Sequence, residues 1–166
     1  QFYFRGKTQT ATSIYYRTRF DKFHISGELA LNQELALATT HNVSFMPHSL
    51  VNMVLLYRYY SPAYDTFFAS SFSENTRVNN ETGYYTGIEI RPYRKWRISA
   101  YADSYRFPYA RYNVSSPSWG RDYLLQIDYQ HNRSLNMFLR GKFEEKPRDY
   151  LAENTASPIS LPQQDG

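Results

Sequence analysis

Residues 82–103 read TGYYTGIEIRPYRKWRISAYAD, and this stretch decides the fold. At residues 84–90, Tyr, Thr, Ile and Ile occupy every second position, with Tyr, Gly and Glu between them. Pro92 interrupts the pattern, and residues 96–103 then alternate in the same way, with Trp, Ile, Ala and Ala on one side. A period of two indicates a β-strand with one apolar and one polar face. The stretch therefore predicts two antiparallel strands joined by a short turn.

The same alternation recurs along the chain and predicts eight strands. They cover about residues 13–20, 23–31, 35–45, 50–60, 82–91, 96–105, 122–129 and 135–144. Most are about ten residues long, whereas strands of soluble proteins average about 5–6 residues and a transmembrane strand needs about 9–11. Residues 46–49 (Met-Pro-His-Ser) are interpreted as a break between two strands. His41 falls on the apolar side of its strand, which leaves a bulge or a register error open there.

The lengths of the predicted connections alternate. Long links at 61–81 and 107–120 lie on one side of the sheet, and the single exception on that side is the short link at 32–33. The links on the other side are all short and cover residues 21–22, 46–49, 93–95 and 131–134. Outer-membrane β-barrels have short turns at one end and longer loops at the other. The pattern therefore favours an up-and-down barrel.

The two predicted faces differ in charge. One face is nearly free of charge across all eight strands, and the other carries the residues that we assign to a charge network in the barrel lumen. These residues are Arg17, Arg19, Glu28, Arg58, Glu89, Arg91, Arg97, Asp103, Asp128 and Arg140. A lipid-facing Arg or Lys costs about 2–4 kcal/mol at mid-bilayer, whereas a watery lumen accepts charges. A soluble β-sandwich also alternates, with its apolar face turned inward; strand length and connection lengths favour the membrane.

The composition favours a boundary between apolar and aqueous phases. Aromatic residues make up 18% of the 166 residues, with 17 Tyr and 11 Phe. Such amphipathic rings are typical of membrane interfaces. The net charge of +4 comes from 19 basic and 15 acidic residues that are spread evenly, so nucleic acid is not expected as a partner.

Nothing in the sequence predicts an enzyme or a cofactor. Cys is absent, which excludes disulfides and thiolate metal sites. His24, His41, His48 and His131 form no short-spaced metal-ligand pair. There is no Gly-x-Ser-x-Gly elbow and no Gly-rich phosphate loop. The carboxylates on the charged face, interleaved with arginines, are interpreted as ion-pair partners and not as acid–base catalysts.

Part of the chain resembles a known group of proteins. The residues that carry the likeness are 57–62 (Tyr-Arg-Tyr-Tyr-Ser-Pro), 72–74 (Phe-Ser-Glu), 77–81 (Arg-Val-Asn-Asn-Glu), Gly83, 91–103 and 108–129. They resemble the C-terminal barrel region of a group of Bacteroidota outer-membrane proteins, some of which have a helix-hairpin-helix segment nearer the N-terminus. That segment is not present here, and the likeness covers about residues 50–146. The resemblance implies location and architecture and carries no residue-level role.

The two long loops are the predicted binding surfaces. They are rich in aromatic residues, and binding sites favour loops on a rigid scaffold. The candidates are Tyr64, Phe67, Phe68, Tyr109 and Trp119. The alternative is that these rings pack over the barrel mouth as a plug.

Taken together, the sequence predicts an all-β, antiparallel up-and-down transmembrane β-barrel in the bacterial outer membrane. Residues 1–147 form about eight strands with their loops, and 148–166 form a polar loop or tail. Because this ending is polar and aperiodic, we expect the strands to be a segment of a larger barrel. The expected function is a pore or a scaffold subunit of an envelope complex, with outer-membrane lipid and other envelope proteins as partners. The alternative is a soluble or cell-surface β-domain that binds a ligand through its aromatic loops.

Overall fold

The computed structural model describes residues 9–66, 72–74, 78–109, 117–132 and 134–146. Its eight strands are β1 (Ala11–Phe20), β2 (Phe23–Asn32), β3 (Leu37–His48), β4 (Val51–Tyr60), β5 (Glu81–Ile90), β6 (Trp96–Phe107), β7 (Ser118–Gln130) and β8 (Asn136–Glu145). They form one antiparallel sheet in chain order, which confirms the all-β up-and-down arrangement. Within the described residues β1 and β8 are the two edges and do not pair with each other, so the sheet is not closed.

The register joins apolar residues to apolar residues across the whole sheet. Leu55 of β4 lies opposite Val43 and Thr86, and Leu125 of β7 lies opposite Ala100 and Gly141. Because side chains alternate between faces, a one-residue slip in the pairing of a strand would move the apolar side chains of that strand to the other face. We call the face that carries Leu55 and Leu125 the apolar face, and the face that carries Arg58 and Asp103 the polar face.

The connections sort into two edges of the sheet. One, the short-turn edge, has the links 21–22, 49–50, 91–95 and 131–135. The other, the long-loop edge, has the links 33–36, 61–80 and 108–117. At Asp21 the backbone φ is 48°, as the tight hairpin turns of antiparallel strands require. The predicted alternation of connection lengths therefore describes the sheet, with the short link between β2 and β3 as its exception.

Both predicted ends of β3 were wrong. Residues 46–48 belong to β3, and the turn is at 49–50. Pro47 is accommodated because pairing with β2 ends at Phe45 and the pairing with β4 is irregular from Phe45 to His48, so its missing N–H breaks no regular ladder. Leu35 lies in the turn with φ 58°, since the Asn32 side chain accepts hydrogen bonds from the backbone N–H of Glu34 and Ala36.

The position of His41 on the apolar face is explained by its hydrogen bonds and not by a bulge. It stays on the apolar face, opposite Gly27 and Tyr57, in regular register. Its Nδ1 lies 2.7 Å from the Tyr16 hydroxyl, and its Nε2 lies 2.8 Å from Thr39 Oγ1. Thr39 donates its own proton to the Glu28 carbonyl, so Nε2 of His41 donates and Nδ1 accepts from Tyr16. All three polar groups are therefore satisfied.

The two faces differ sharply in exposure. Among the large apolar side chains exposed on regularly paired strand positions, the polar face has only Tyr15 and Phe138. The apolar face has Ile14, Tyr16, Phe20, Phe23, Leu29, Leu31, Met53, Leu55, Tyr84, Trp96, Trp119, Tyr123, Leu125, Met137, Leu139 and Phe143. No second layer of the described chain covers this side. The sheet therefore exposes a broad apolar surface on one face, and its buried charges lie on the other face.

Candidate functional site

A buried ion-pair cluster lies on the polar face toward the long-loop edge. Arg58 is fully buried and donates from Nε to Glu81 at 2.5 Å. Its Nη1 and Nη2 donate to the two carboxylate oxygens of Asp103 at 2.9 and 3.1 Å. Three neighbouring strands, β4, β5 and β6, supply these side chains. Because the guanidinium fork matches a carboxylate bidentately, the cluster fixes the relative position of β4 and β6 across β5.

The covering loop, which is the described segment 72–74 of the link between β4 and β5, lies over this cluster. The Phe72 ring packs against the Arg58 guanidinium, with 5.0 Å between the ring centroid and Arg58 Cζ. The Phe72 carbonyl accepts a hydrogen bond from the Tyr60 hydroxyl at 2.9 Å. Ser73 Oγ and the backbone N–H of Glu74 donate to Glu81 at 2.8 and 3.0 Å. The loop is thereby held against the polar face, and it removes the ion pairs from solvent.

Glycine makes room for the buried arginine. A Cβ placed on Gly83, which lies opposite Arg58 on β5, would come within 2.5 Å of the guanidinium carbon. Gly120 has the same relation to Tyr105, whose ring it would meet at 2.4 Å. Both glycines therefore allow a large side chain to lie flat across the neighbouring strand. Tyr105 in turn flanks the Arg58 guanidinium, with its ring centroid 5.9 Å away.

Carboxylates continue along the same row of the sheet. Asp103 lies opposite Asp122 on β7, and Asp122 lies opposite Glu144 on β8. Lys142 reaches Asp122 at 3.8 Å and Glu144 at 2.5 Å. Lys146, just beyond the end of β8, bridges Glu144 at 2.6 Å and Glu74 at 3.3 Å. Its hydrogen bond to Glu144 raises the pKa of Lys146. The cations thus neutralise the acidic row and tie it to the covering loop.

Three buried polar atoms in or beside this row have no hydrogen-bond partner in the described part of the chain. They are the hydroxyl groups of Tyr105 and Ser118 and one carboxylate oxygen of Asp122. A buried polar group without a partner costs free energy unless solvent or a ligand reaches it. Asp103, with both oxygens bound to Arg58, is held as an ion pair and is not placed to abstract a proton. Over the described part of the chain, no group of three or more His, Asp or Glu side chains is placed to hold a metal ion.

The predicted charge network is only partly connected. Besides Arg58 with Asp103, the structure pairs Arg91 with Glu89 at 2.8 Å and Arg97 with Asp128 at 3.2 Å. These last two pairs are exposed, near the short-turn edge. Arg140 donates to Gln126, and Arg17 to the Tyr15 hydroxyl. Across the described ranges, no ion pair involves Arg19 or Glu28. The predicted residues therefore form separate groups and not one continuous network.

The predicted loop aromatics do not form one binding surface. Tyr64 is buried against Tyr60 and the small side chains of Ala30, Ala36 and Ala38. Tyr109 is exposed, and its backbone N–H and carbonyl both bond to the Asn80 side chain, which ties the two long loops together. Trp119 was wrongly predicted to be a loop residue, because it pairs with Arg106 inside β7 and lies on the apolar face. Phe67 and Phe68 lie outside the described residues.

The sequence prediction missed Glu81 and Lys146 as members of the site. Glu81 was treated as the end of the long loop, but it is the first residue of β5. Counting back from Glu89 in steps of two would have placed it on the charged face. Lys146 carries no such signal, because it lies beyond the last alternating residue.

Comparison with known proteins finds no matching family model, no matching curated protein and no matching solved structure. In the ranges that the structure describes, no helix is long and apolar enough to cross a membrane. The features of the chain that bear on its function are therefore the sheet, its two faces and the cluster around Arg58.

Proposed function

We propose that this chain is part of the wall of a bacterial outer-membrane β-barrel, with its apolar face toward lipid and its polar face toward an aqueous lumen. The observation that carries the proposal is the reversed exposure of the two faces. Arg58, Glu81 and Asp103 are almost fully buried, while Leu125 is 50% exposed and Leu139 is 72% exposed. Soluble proteins rarely expose an apolar surface this broad, and lipid is the environment that makes it favourable.

Strand length supports a membrane-spanning wall. The strands have 10 to 13 residues. At about 3.3 Å per residue and a tilt of about 40°, such strands cross about 25–33 Å. The apolar band of a transmembrane barrel is about 25 Å tall. The strands are therefore long enough to cross an outer membrane.

Aromatic side chains lie toward both ends of the apolar face. Near the short-turn edge, Phe23 stacks on Phe45 with ring centroids 4.5 Å apart, and Trp96 contacts Tyr129 at 4.7 Å. A second row, formed by Tyr16, His41, Tyr57 and Tyr84, runs from the middle of β1 to positions nearer the long-loop edge on β4 and β5, with the Tyr57 and Tyr84 ring centroids 5.0 Å apart. Amphipathic rings at two levels with aliphatic residues between them are typical of the two membrane interfaces.

The edges of the sheet favour a barrel wider than eight strands. On the polar face, β1 carries Arg17 and Arg19, and β8 carries Arg140 and Lys142. Direct antiparallel closure of β1 on β8 would place two strands that each carry two cations on the polar face side by side, and like charges on adjacent strands are destabilising. We infer that other strands separate the two edges, so that the eight strands are a segment of a larger barrel. The resemblance of about residues 50–146 to the Bacteroidota barrel region supports the same location.

The covered ion-pair cluster favours a constricted pore. Phe72 and Glu74 lie over the polar face, so residues 72–74 narrow the space that this face borders. The exposed edge strands favour the second candidate, a scaffold that holds another envelope protein. Ion conductance in a planar bilayer supports the pore, and a partner that copurifies in detergent supports the scaffold.

The deciding experiment is fractionation of the native protein. We expect it to remain with outer membranes after a carbonate wash and to run in SDS as a compact band that shifts on heating. Release into the soluble fraction without a heat-dependent shift would reject the lipid-facing assignment. It would support a soluble β-domain whose apolar face is covered by another protein layer.

A further inference from the structure

Four cationic residues surround a cleft at the short-turn edge. The link between β5 and β6 reads Arg-Pro-Tyr-Arg-Lys at residues 91–95, and Trp96 and Arg97 follow. Together with the neighbouring ends of β7 and β8, this link encloses a cleft of about 690 Å³. Arg91, Arg94, Lys95 and Arg97 line it against a single carboxylate, Asp128, which leaves an excess of three positive charges (4 − 1).

Two of these cations have no ion-pair partner among the described residues. Arg97 binds Asp128, and Arg91 binds Glu89, which lies outside the cleft. Within the described chain, no carboxylate lies within ion-pair distance of Arg94 or Lys95. Adjacent unpaired cations repel each other and attract an anion. The cleft is therefore poised for a negatively charged group.

The cleft also has an apolar wall that continues the apolar face. Trp96 and Tyr129 contact each other on that face at 4.7 Å, and Met137 lies opposite Tyr129 on β8. Both Trp96 and Met137 are exposed. A ligand that fills the cleft therefore meets cations at the edge of the sheet and aromatic and aliphatic groups along its face.

The rest of the sheet gives an anion fewer places to bind. Toward the long-loop edge, the buried carboxylates Glu81, Asp103 and Asp122 dominate the polar face. Beside the short-turn edge, the described cations outnumber the carboxylates by six to three. The cations are Arg19, Lys22, Arg91, Arg94, Lys95 and Arg97, and the carboxylates are Asp21, Glu89 and Asp128. The charge is therefore asymmetric along the strand axis.

We propose that the cleft around Arg94 and Lys95 binds the phosphate of an anionic phospholipid, whose acyl chains lie along Trp96 and the apolar face. This inference rests on the proposed membrane function. A lipid phosphate is an anion that can bind two adjacent cations at the membrane surface. Basic residues beside an apolar surface are a known mode of headgroup recognition. The lipid leaflet at the short-turn edge would supply it.

The two tryptophans make the test specific. The chain has 2 Trp residues: Trp96 lies in the cleft, and Trp119 lies near the long-loop edge of the same face. Trp119→Phe leaves Trp96 as the only reporter, and Trp96→Phe leaves Trp119 as the control. Each protein is reconstituted into vesicles that mix brominated phosphatidylglycerol with plain phosphatidylcholine, and the bromine quenching of Trp fluorescence is recorded. The label is then exchanged to the phosphatidylcholine.

We expect Trp96, beside the four cations of the cleft, to prefer phosphatidylglycerol more strongly than Trp119, which has only Arg106 and Arg121 beside it. Each Lys or Arg near an anionic lipid contributes about fivefold to binding, so Arg94→Gln with Lys95→Gln should reduce the preference roughly 25-fold. The matched control, Arg106→Gln with Arg121→Gln, removes two cations near Trp119 and should leave the Trp96 preference unchanged. The heat-dependent SDS band verifies that each variant folds.

Three outcomes overturn the inference. Equal quenching of Trp96 by both lipids, in a protein that stays in vesicles after a carbonate wash, rejects the headgroup site and leaves the barrel intact. Loss of the preference in millimolar inorganic phosphate assigns the cleft to free phosphate and not to lipid. Failure of both reporters to be quenched by either lipid rejects membrane insertion, and the proposed function falls with it.

Discussion

The substitution Leu139→Arg tests whether the apolar face meets lipid. Leu139 and its neighbour Phe138 lie on opposite faces of β8 and are 72% and 68% exposed, so Phe138→Arg is a control of matched exposure. In water, both substitutions should change the free energy of unfolding by no more than about 0.5 kcal/mol, as exposed sites usually do. In a bilayer, Leu139→Arg should cost about 2–4 kcal/mol if the site lies near the midplane. That range is about a 30- to 700-fold change in the folding equilibrium.

Phe138→Arg should behave differently because position 138 lies on the polar face, directly opposite Asp128 of the neighbouring strand β7. The new cation would lie beside a carboxylate on the polar face, whereas a cation at position 139 would lie beside Ile127. The assay is reversible guanidinium unfolding of the protein folded into phosphatidylcholine vesicles, followed by the heat-dependent SDS band. Equal free energies for the two variants, or a larger loss for Phe138→Arg, would refute the assignment of the apolar face to lipid.

Three further predictions concern the polar face. Arg58→Met removes the cation that pairs with the buried carboxylates of Glu81 and Asp103 and should lower the free energy of unfolding by about 3–5 kcal/mol, whereas Arg97→Ala in an exposed pair should cost less than about 1 kcal/mol; equal losses in guanidinium unfolding would contradict the burial of Arg58. Gly120→Ala should cost about 1–3 kcal/mol by overpacking, and Gly141→Ala, which meets nothing within 4 Å, should be tolerated in the same assay. Phe72→Ala uncovers the cluster and should raise single-channel conductance in a planar bilayer; unchanged conductance would show that the loop does not constrict a pore.

The strands and their two faces could be predicted because each is a local property of the sequence. Period-two alternation defines a strand, and one apolar face across many strands fixes the register between them. The end of β3 was mispredicted because proline usually ends a strand. Pro47 remains in the strand since β2 no longer pairs there. Leu35 was mispredicted because the Asn32 side chain sets the turn through hydrogen bonds that hydrophobic patterning does not represent.

The candidate site was harder to predict because its pairs are distant in sequence. Arg58 and Asp103 were both assigned to the charged face, but many arginines and carboxylates share that face. Which of them meet depends on strand order, on the covering loop and on a glycine at position 83 that lets the arginine lie across β5. Glu81 joins them only because β5 begins at that residue. Alternation therefore predicts the face of a residue, and three-dimensional pairing decides its partner.

The buried cluster and the exposed apolar face depend on the same register. The pairing that brings Arg58 opposite Gly83, and Tyr85 opposite Asp103, also places Leu55 opposite Thr86. A slip of one residue between β4 and β5 would turn Arg58 toward the apolar side and Leu55 toward the buried carboxylates. Both changes are costly, since a charge would enter the apolar face and Asp103 would lose its partner. The ion pairs therefore stabilise one register of the strands. That register keeps the apolar face continuous, as a lipid-facing wall requires.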